Sequence, residues 1–143
     1  MGGLGEHGVA KGVVAVWAGV IIHLLFGDWT PLLTAVVVLV GLDTLIGFAR
    51  AWKEHSLSSE KMRAGAVKLV VYFGLLVVGH QVSVAIGGLG WVRDALATYL
   101  ALTEALSILE HGEALGVPVP AWLAKVLQSE RDKGVEANEG RKE

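Results

Sequence analysis

Residues 99–120 read YLALTEALSILEHGEALGVPVP, from Tyr99 to Pro120. The stretch begins as an apolar helix, carries Glu104 inside that helix, and runs out through Glu110, His111 and Glu113. It ends at Gly116 and the Pro118/Pro120 pair. An acid within an apolar span is expensive unless something else gains from it. The chain before this stretch shows what the span is embedded in. The chain after it shows which way it points.

A soluble domain is a little under half apolar and about a quarter charged. This chain of 143 residues is 53% hydrophobic and 18% charged, with a mean hydropathy of +0.56. Its charges crowd into one middle loop and the C-terminal tail, which is the pattern of an integral membrane protein. A net charge of −2 argues against an electrostatic nucleic-acid footprint. The absence of cysteine excludes disulfides, thiolate metal sites and cysteine nucleophiles.

The segment MGGLGEHGVAKGVV carries only Lys11 in its would-be n-region, and no small-x-small cleavage site follows Phe26. It reads as a retained membrane helix rather than a signal peptide. Gly2 to Glu6 lacks the Ser or Thr expected for myristoylation, so lipid anchoring is not supported.

Spanning a hydrocarbon layer of roughly 30 Å takes about 20 helical residues. Residues 1–8 form a glycine-rich, flexible N-terminus. The first apolar run is Val9 to Phe26, slightly short, with Trp17 near its middle. Pro31 suits the first turn of a second span, Leu32 to Trp52, and Trp29 suits the headgroup layer. A polar loop, Lys53 to Ala64, leads to a third span, Gly65 to Ile86. The turn Gly87 to Trp91 leads to a fourth, Leu89 to Leu109. The expected fold is therefore an all-α integral membrane protein with about four transmembrane helices, three being the alternative. The transmembrane domain covers 9–115, a short amphipathic surface helix 116–128, and a disordered charged tail 129–143.

Lys and Arg set the orientation. Arg50, Lys53, Lys61, Arg63 and Lys68 form a basic loop and its flanks between spans two and three. Lys125, Arg131, Lys133, Arg141 and Lys142 lie in the tail, and Lys11 at the N-terminus. The two short turns are free of them, apart from Arg93 just inside span four. Four spans with both termini in the cytoplasm satisfy these placements. If the first run lies on the surface, three spans remain and the N-terminus is outside.

Asp43 falls midway along span two, on the wheel face of Val36, Gly47 and Arg50. It reads either as an interhelical contact, with Gly47 allowing close approach, or as a pore-lining or proton-relay carboxylate. In span four Arg93, Ala97, Glu104 and His111 share a stripe, with Ala101 and Ser107 beside it. That stripe reads as an interhelical hydrogen bond, a buried pair with Asp43, or the wall of an oligomeric pore. His80 with Ser83 and Gly87 makes a weaker polar face on span three. The histidines have no H-x-x-x-H or H-x-x-H spacing, so no metal is expected. No glycine motif for a nucleotide and no nucleophile elbow is present, so neither a cofactor nor an enzyme activity is expected.

Two runs carry a resemblance. The first is Asp43-Thr44-Leu45-Ile46-Gly47 with Ala51-Trp52-Lys53 and Leu57-Ser58-Ser59. The second is Glu104-Ala105-Leu106-Ser107-Ile108-Leu109-Glu110 with Leu115-Gly116-Val117-Pro118-Val119-Pro120. Over roughly residues 32 to 128 the chain resembles the phage holins of the toxin-secretion and phage-lysis type found mainly with Gram-positive hosts. These runs are similar to the family's D-x-x-x-G, A-[WF]-K, S-S, E-x-x-S-I-x-E-N and L-G-x-P-x-P. His111 stands where the family has Asn, and the N-terminal region matches poorly. The resemblance implies a small inner-membrane protein that self-associates in the lipid bilayer and opens lesions at a timed moment. An endolysin then crosses, and the cell lyses. Two other classes stay open. A small ion channel or proton-coupled transporter would use Asp43 and Glu104 as a permanent conduction site. An anti-holin or membrane scaffold would assemble without permeabilising.

Overall fold

A computed structural model describes residues 3–139. These form five helices: α1 (Gly3–Phe26), α2 (Pro31–Lys53), α3 (Ser59–Ala85), α4 (Val92–Ala114) and α5 (Ala121–Glu139). No strand occurs among the described residues. Three helices are long and apolar enough to cross a membrane: α1, α2 and α3. The fourth is not, because α4 carries Arg93, Asp94, Glu104, Glu110 and Glu113. The sequence makes the first run the alternative to a span, since it is slightly short. In composition the exception is the last one.

The helix ends follow local chemistry. Thr30 caps α2, its hydroxyl accepting from the Leu33 N–H at 3.2 Å, and Pro31 sits at the first helical position, where no N–H is needed. Ser58 caps α3 in the same way, accepting from the Lys61 N–H at 3.2 Å, with Glu60 in the first turn. This cap starts α3 six residues earlier than the expected span. Lys61 and Arg63 therefore belong to a helix, and the loop shrinks to Glu54–Ser58. At the end of α4, Gly116 takes φ +90. The Gly116 N–H donates to the Glu113 carbonyl at 2.9 Å and the Val117 N–H to Gly112 at 3.0 Å. These are the two bonds of a Schellman stop, which turns the chain back toward α5.

Packing centres on α4. It lies against α2, α3 and α5, whereas α1 packs mainly on α3 and meets α4 through its last residue, Phe26. The buried apolar residues are Leu33, Val36 and Val40 on α2, Leu76 on α3, and Ala97 and Leu100 on α4. The α2 and α4 sets follow the three-and-four spacing that puts side chains on one helix face. Every side chain from Gly8 to Leu25 on α1 is exposed. That suits a helix whose solvent is lipid rather than protein.

The C-terminal region departs from expectation. Leu123, Ala124, Leu127 and Arg131 are its half-buried positions, and α5 runs antiparallel to α4 as far as Glu139. Residues 129–139 thus continue the helix that the sequence reading ends at Gln128. Their charges mask two stabilising features. Glu130 and Lys133 pair at 2.8 Å one turn apart, and the helix has a packed face on α4. Of the flexible N-terminus and the disordered tail, residues 1–2 and 140–143, with Arg141 and Lys142, lie outside the described residues.

Candidate functional site: an ion cluster enclosed by three helices

The apolar stripe of α2 continues one turn beyond Val40 into Asp43, Gly47 and Arg50. The stripe of α4 continues from Leu100 into Glu104, Ser107 and His111. The same positions that build the core in one half of the bundle therefore present charge in the other half. Asp43 is 5% exposed and Glu104 is fully buried.

Lys68 joins them. Its Nζ donates to Asp43 Oδ2 at 2.7 Å and to Glu104 Oε2 at 3.0 Å, with Glu104 Oε1 at 2.9 Å. Three helices thus meet at one ammonium. The sequence reading assigns Lys68 to the basic loop flank, and the structure moves it into the bundle. Lys68 lies two turns before Leu76 and three before Gly79, the buried positions of α3, so its side chain falls on the packed face. Its Nζ also lies 5.4 Å from the Tyr72 ring centroid.

The cluster continues toward the Lys53 end. His111 Nε2 is 3.5 Å from Asp43 Oδ1, and Arg50 Nη1 is 3.4 Å from His111 Nδ1. Arg50 Nε donates to Glu54 Oε1 at 2.8 Å, and this guanidinium holds the exposed Glu54 carboxyl below its ordinary pKa. Lys53 Nζ donates to the Leu115 carbonyl at 3.1 Å, tying α2 to the end of α4. Gly47 lets His111 cross closely: a Cβ there would lie 3.2 Å from His111 Nε2. Ser107 neighbours Asp43, and Tyr72 neighbours Glu104. A groove of about 400 Å³ between α2 and α3 opens onto Asp43, Lys68 and His111.

The charges do not balance. Two carboxylates share one ammonium; Asp43 Oδ1 and Glu104 Oε1 are buried without a well-aligned hydrogen bond, Oε1 meeting only the Lys68 ammonium at 2.9 Å and Oδ1 only His111 Nε2 at 3.5 Å. Bringing charges out of water is offset only where geometry and pairing are good. The arrangement holds α2, α3 and α4 together through Lys68 and sets two acids against one ammonium at its centre.

His80 and Arg93 belong elsewhere. They sit at the opposite end of the bundle, by the α1–α2 and α3–α4 turns. Arg93 Nη1 donates to the Phe26 carbonyl at 3.2 Å, and the Arg93 N–H to Ser83 Oγ at 3.2 Å. The Ser83 hydroxyl thereby satisfies one of the free N–H groups at the start of α4. His80 and Arg93 close over Gly27, whose φ is +75; a Cβ there would lie 2.5 Å from His80 Cε1. The expected Arg93–Glu104–His111 stripe is therefore turned against two helices, with Glu104 buried and Arg93 and His111 half-buried, and divided into two sites.

Residues 20–131, which include every member of both clusters, match the bacteriophage holin family. The chain belongs to that family. Among its relatives is a probable holin of Bacillus phage phi105, 27% identical over 118 residues, covering 80% of this chain and 87% of the phage protein. An uncharacterized protein of Clostridium perfringens strain 13 is 29% identical over 119 residues, covering 82% of this chain and 88% of that one. Another, a 14.9 kDa C. perfringens protein, is 29% identical over 123 residues, with 85% and 92% covered. No solved structure matches. The holin family match stops at Arg131, so it takes in the whole α2–α3–α4 bundle and the first half of α5. Among the described residues no group of three or more His, Asp or Glu side chains could hold a metal ion.

Proposed function

We propose that this chain acts as a holin in the bacterial cytoplasmic membrane. Copies accumulate there, associate, and open lesions through which an endolysin reaches the cell wall. The observation that carries the reading is the holin family match across the three helices joined at Lys68. The Lys53 end of the bundle, with Arg50, Lys53, Lys61 and Arg63, faces the cytoplasm by the positive-inside rule. Polar groups that are enclosed within one copy give a membrane protein that can accumulate harmlessly. The same groups give it polar surface to expose once copies associate. Glu104 is tied to Lys68 and fully buried, which favours an assembly role over a permanent conduction site.

The test is inducible expression in bacteria that also make a cytoplasmic endolysin without an export signal of its own. Abrupt loss of turbidity, with release of a cytoplasmic enzyme, is expected once the protein accumulates. Continued growth with the endolysin retained, at high membrane levels of the protein, would refute the reading. Leakage of ions alone would point to a small channel instead.

A further inference from the structure

The three helices joined at Lys68 do not close on one another. α2 and α3 each pack on α4 but scarcely touch, and the gap between them is the groove of about 400 Å³ that opens onto the ion cluster. Its walls repeat one pattern. Gly47 and Ala51 on α2, and Gly65 and Leu69 on α3, recur every fourth residue, so one line of each helix faces the gap. The two glycines and Ala51 keep it wide, and a Cβ added to Gly65 would meet nothing within 4 Å. Phe48 and Met62, 47% and 60% exposed, form its rims. Lys61 stands at the mouth as the third residue of α3. Lys68 is seven residues deeper, about 10 Å along the axis. With the Lys53 end in the cytoplasm, the mouth lies in the headgroup layer and the floor within the hydrocarbon.

Size and chemistry decide what fills such a gap. A helix is about 10–12 Å across, so a length of about 15 Å takes on the order of 1,200–1,700 Å³. It can lie on the groove but not in it. A water molecule's share of volume is about 30 Å³. A methylene is of similar size, so the groove has room for roughly a dozen of them, most of one acyl chain. Water itself is disfavoured, because apolar cavities stay dry and the walls are largely Phe48, Leu57, Met62 and Leu69. On the floor Lys68 turns its ammonium to Asp43 and Glu104, which leaves its alkyl stem to the groove.

The mouth is basic. Lys61 Nζ donates to Ser56 Oγ at 2.8 Å, and among the described residues it forms no ion pair. The neighbouring Glu54 is held by Arg50. A basic opening between membrane helices on the cytoplasmic side attracts anionic lipid headgroups.

We propose that the α2–α3 groove binds one anionic phospholipid of the cytoplasmic leaflet, with an acyl chain between Phe48 and Met62 and the phosphate on Lys61. The lipid completes the wall that α2 and α3 leave open and keeps water from Asp43, Lys68 and His111. This goes beyond the holin reading and rests only on the membrane orientation used there.

The test uses the full chain in detergent micelles doped with equal phosphatidylglycerol and phosphatidylcholine, read by native mass spectrometry. One phospholipid should stay on each chain, phosphatidylglycerol at least fivefold over phosphatidylcholine. Lys61→Gln should lose that preference. Gly65→Leu, which fills the groove, should lose the bound lipid altogether. Arg63→Gln removes the same charge about 200° round the helix from Lys61 and should keep the preference within twofold. Equal losses in Arg63→Gln and Lys61→Gln would reduce the effect to diffuse attraction and overturn the site. So would equal retention of the two lipids by the wild type, or a folded Gly65→Leu protein that still holds lipid. Should Gly65→Leu fail to fold, the wild type decides. Phosphatidylglycerol with a photoreactive acyl chain, diluted into phosphatidylcholine vesicles, should label Met62 and Leu69 at least fivefold more than Val16 on α1. Labelling no higher there than at Val16 overturns the proposal. The lysis assay reads the holin role separately, so either reading can fail alone.

Discussion

Replacing Lys68 with Met leaves Asp43 and Glu104 facing each other in a nearly dry site, without the ammonium that now lies within 3.0 Å of both. Breaking a buried ion pair by removing one partner costs about 3–5 kcal/mol. Lys68 is 33% exposed through its side chain, so the lower end of that range applies. About 3 kcal/mol is roughly a 150-fold fall in the folding equilibrium. Glu104→Gln and Asp43→Asn behave differently. Each leaves Lys68 one carboxylate and removes the surplus charge, so each loses about 1 kcal/mol, near the net value of one hydrogen bond. Neutralising all three residues removes the charge problem altogether. The triple variant Asp43→Asn, Lys68→Met, Glu104→Gln should regain at least half of what Lys68→Met alone loses, since neutral replacements of buried ionic clusters are often tolerated.

The measurement is unfolding of the purified protein by SDS titration from mild detergent micelles, followed by helical circular dichroism. Lys68 also packs over the Tyr72 ring, and its loss there is the competing explanation. A triple variant as unstable as Lys68→Met would refute the charge argument and assign the loss to that packing. So would a Lys68→Met protein no weaker than Glu104→Gln.

Other positions separate contact from conformation. Gly79→Ala places a Cβ 2.8 Å from Leu96 Cδ1 and 3.2 Å from the Arg93 Cα. It should lose about 1–3 kcal/mol by pushing α3 off α4; Gly74→Ala on the same helix, with nothing within 4 Å, should lose none in the same titration. Gly27 and Gly116 both have positive φ, but only Gly27 is crowded, by His80 and Arg93. Gly116→Ala should therefore lose about 1–2 kcal/mol from backbone conformation alone, and Gly27→Ala clearly more; equal losses would count against the close approach of His80. Ser58→Ala removes the α3 cap and should lose about 1 kcal/mol, read as earlier hydrogen exchange at the Lys61 amide.

The helical bundle was legible because apolar run lengths match the bilayer and because Thr30-Pro31, Ser58 and Gly116 punctuate them. Glu104 and Asp43 were legible as anomalies, being acids on faces otherwise filled by Val36 or Leu100. Their common partner was harder to find. Lys68 read as the opening of a span, since a lysine near a helix end usually snorkels outward. The signal that points inward is its spacing to Leu76 and Gly79, on the face that α4 covers. The division of the polar stripe into two sites was not legible either. A wheel places Arg93, Glu104 and His111 at one angle and says nothing of their separation along the axis, from Arg93 to His111, which is most of α4. The length of α5 was hidden because charge density reads as disorder when the packing partner is a helix seen only in three dimensions.

An acid in an apolar helix is tolerable when the helix is not the one that meets lipid. Here α4 is enclosed by α2, α3 and α5, so Glu104 is surrounded by protein and finds Lys68 there. The expense then passes outward. The helix that covers α4 has a charged outer face of its own, and within one copy nothing covers Lys125, Asp132 or Glu136. Burying one polar stripe has placed another at the surface of the same bundle, at similar depth. A single copy has no further helix with which to repeat the solution. On the proposed holin reading, association between copies takes this charged face out of lipid, and substituting Lys125, Asp132 or Glu136 should change when lesions form more than how well each copy folds.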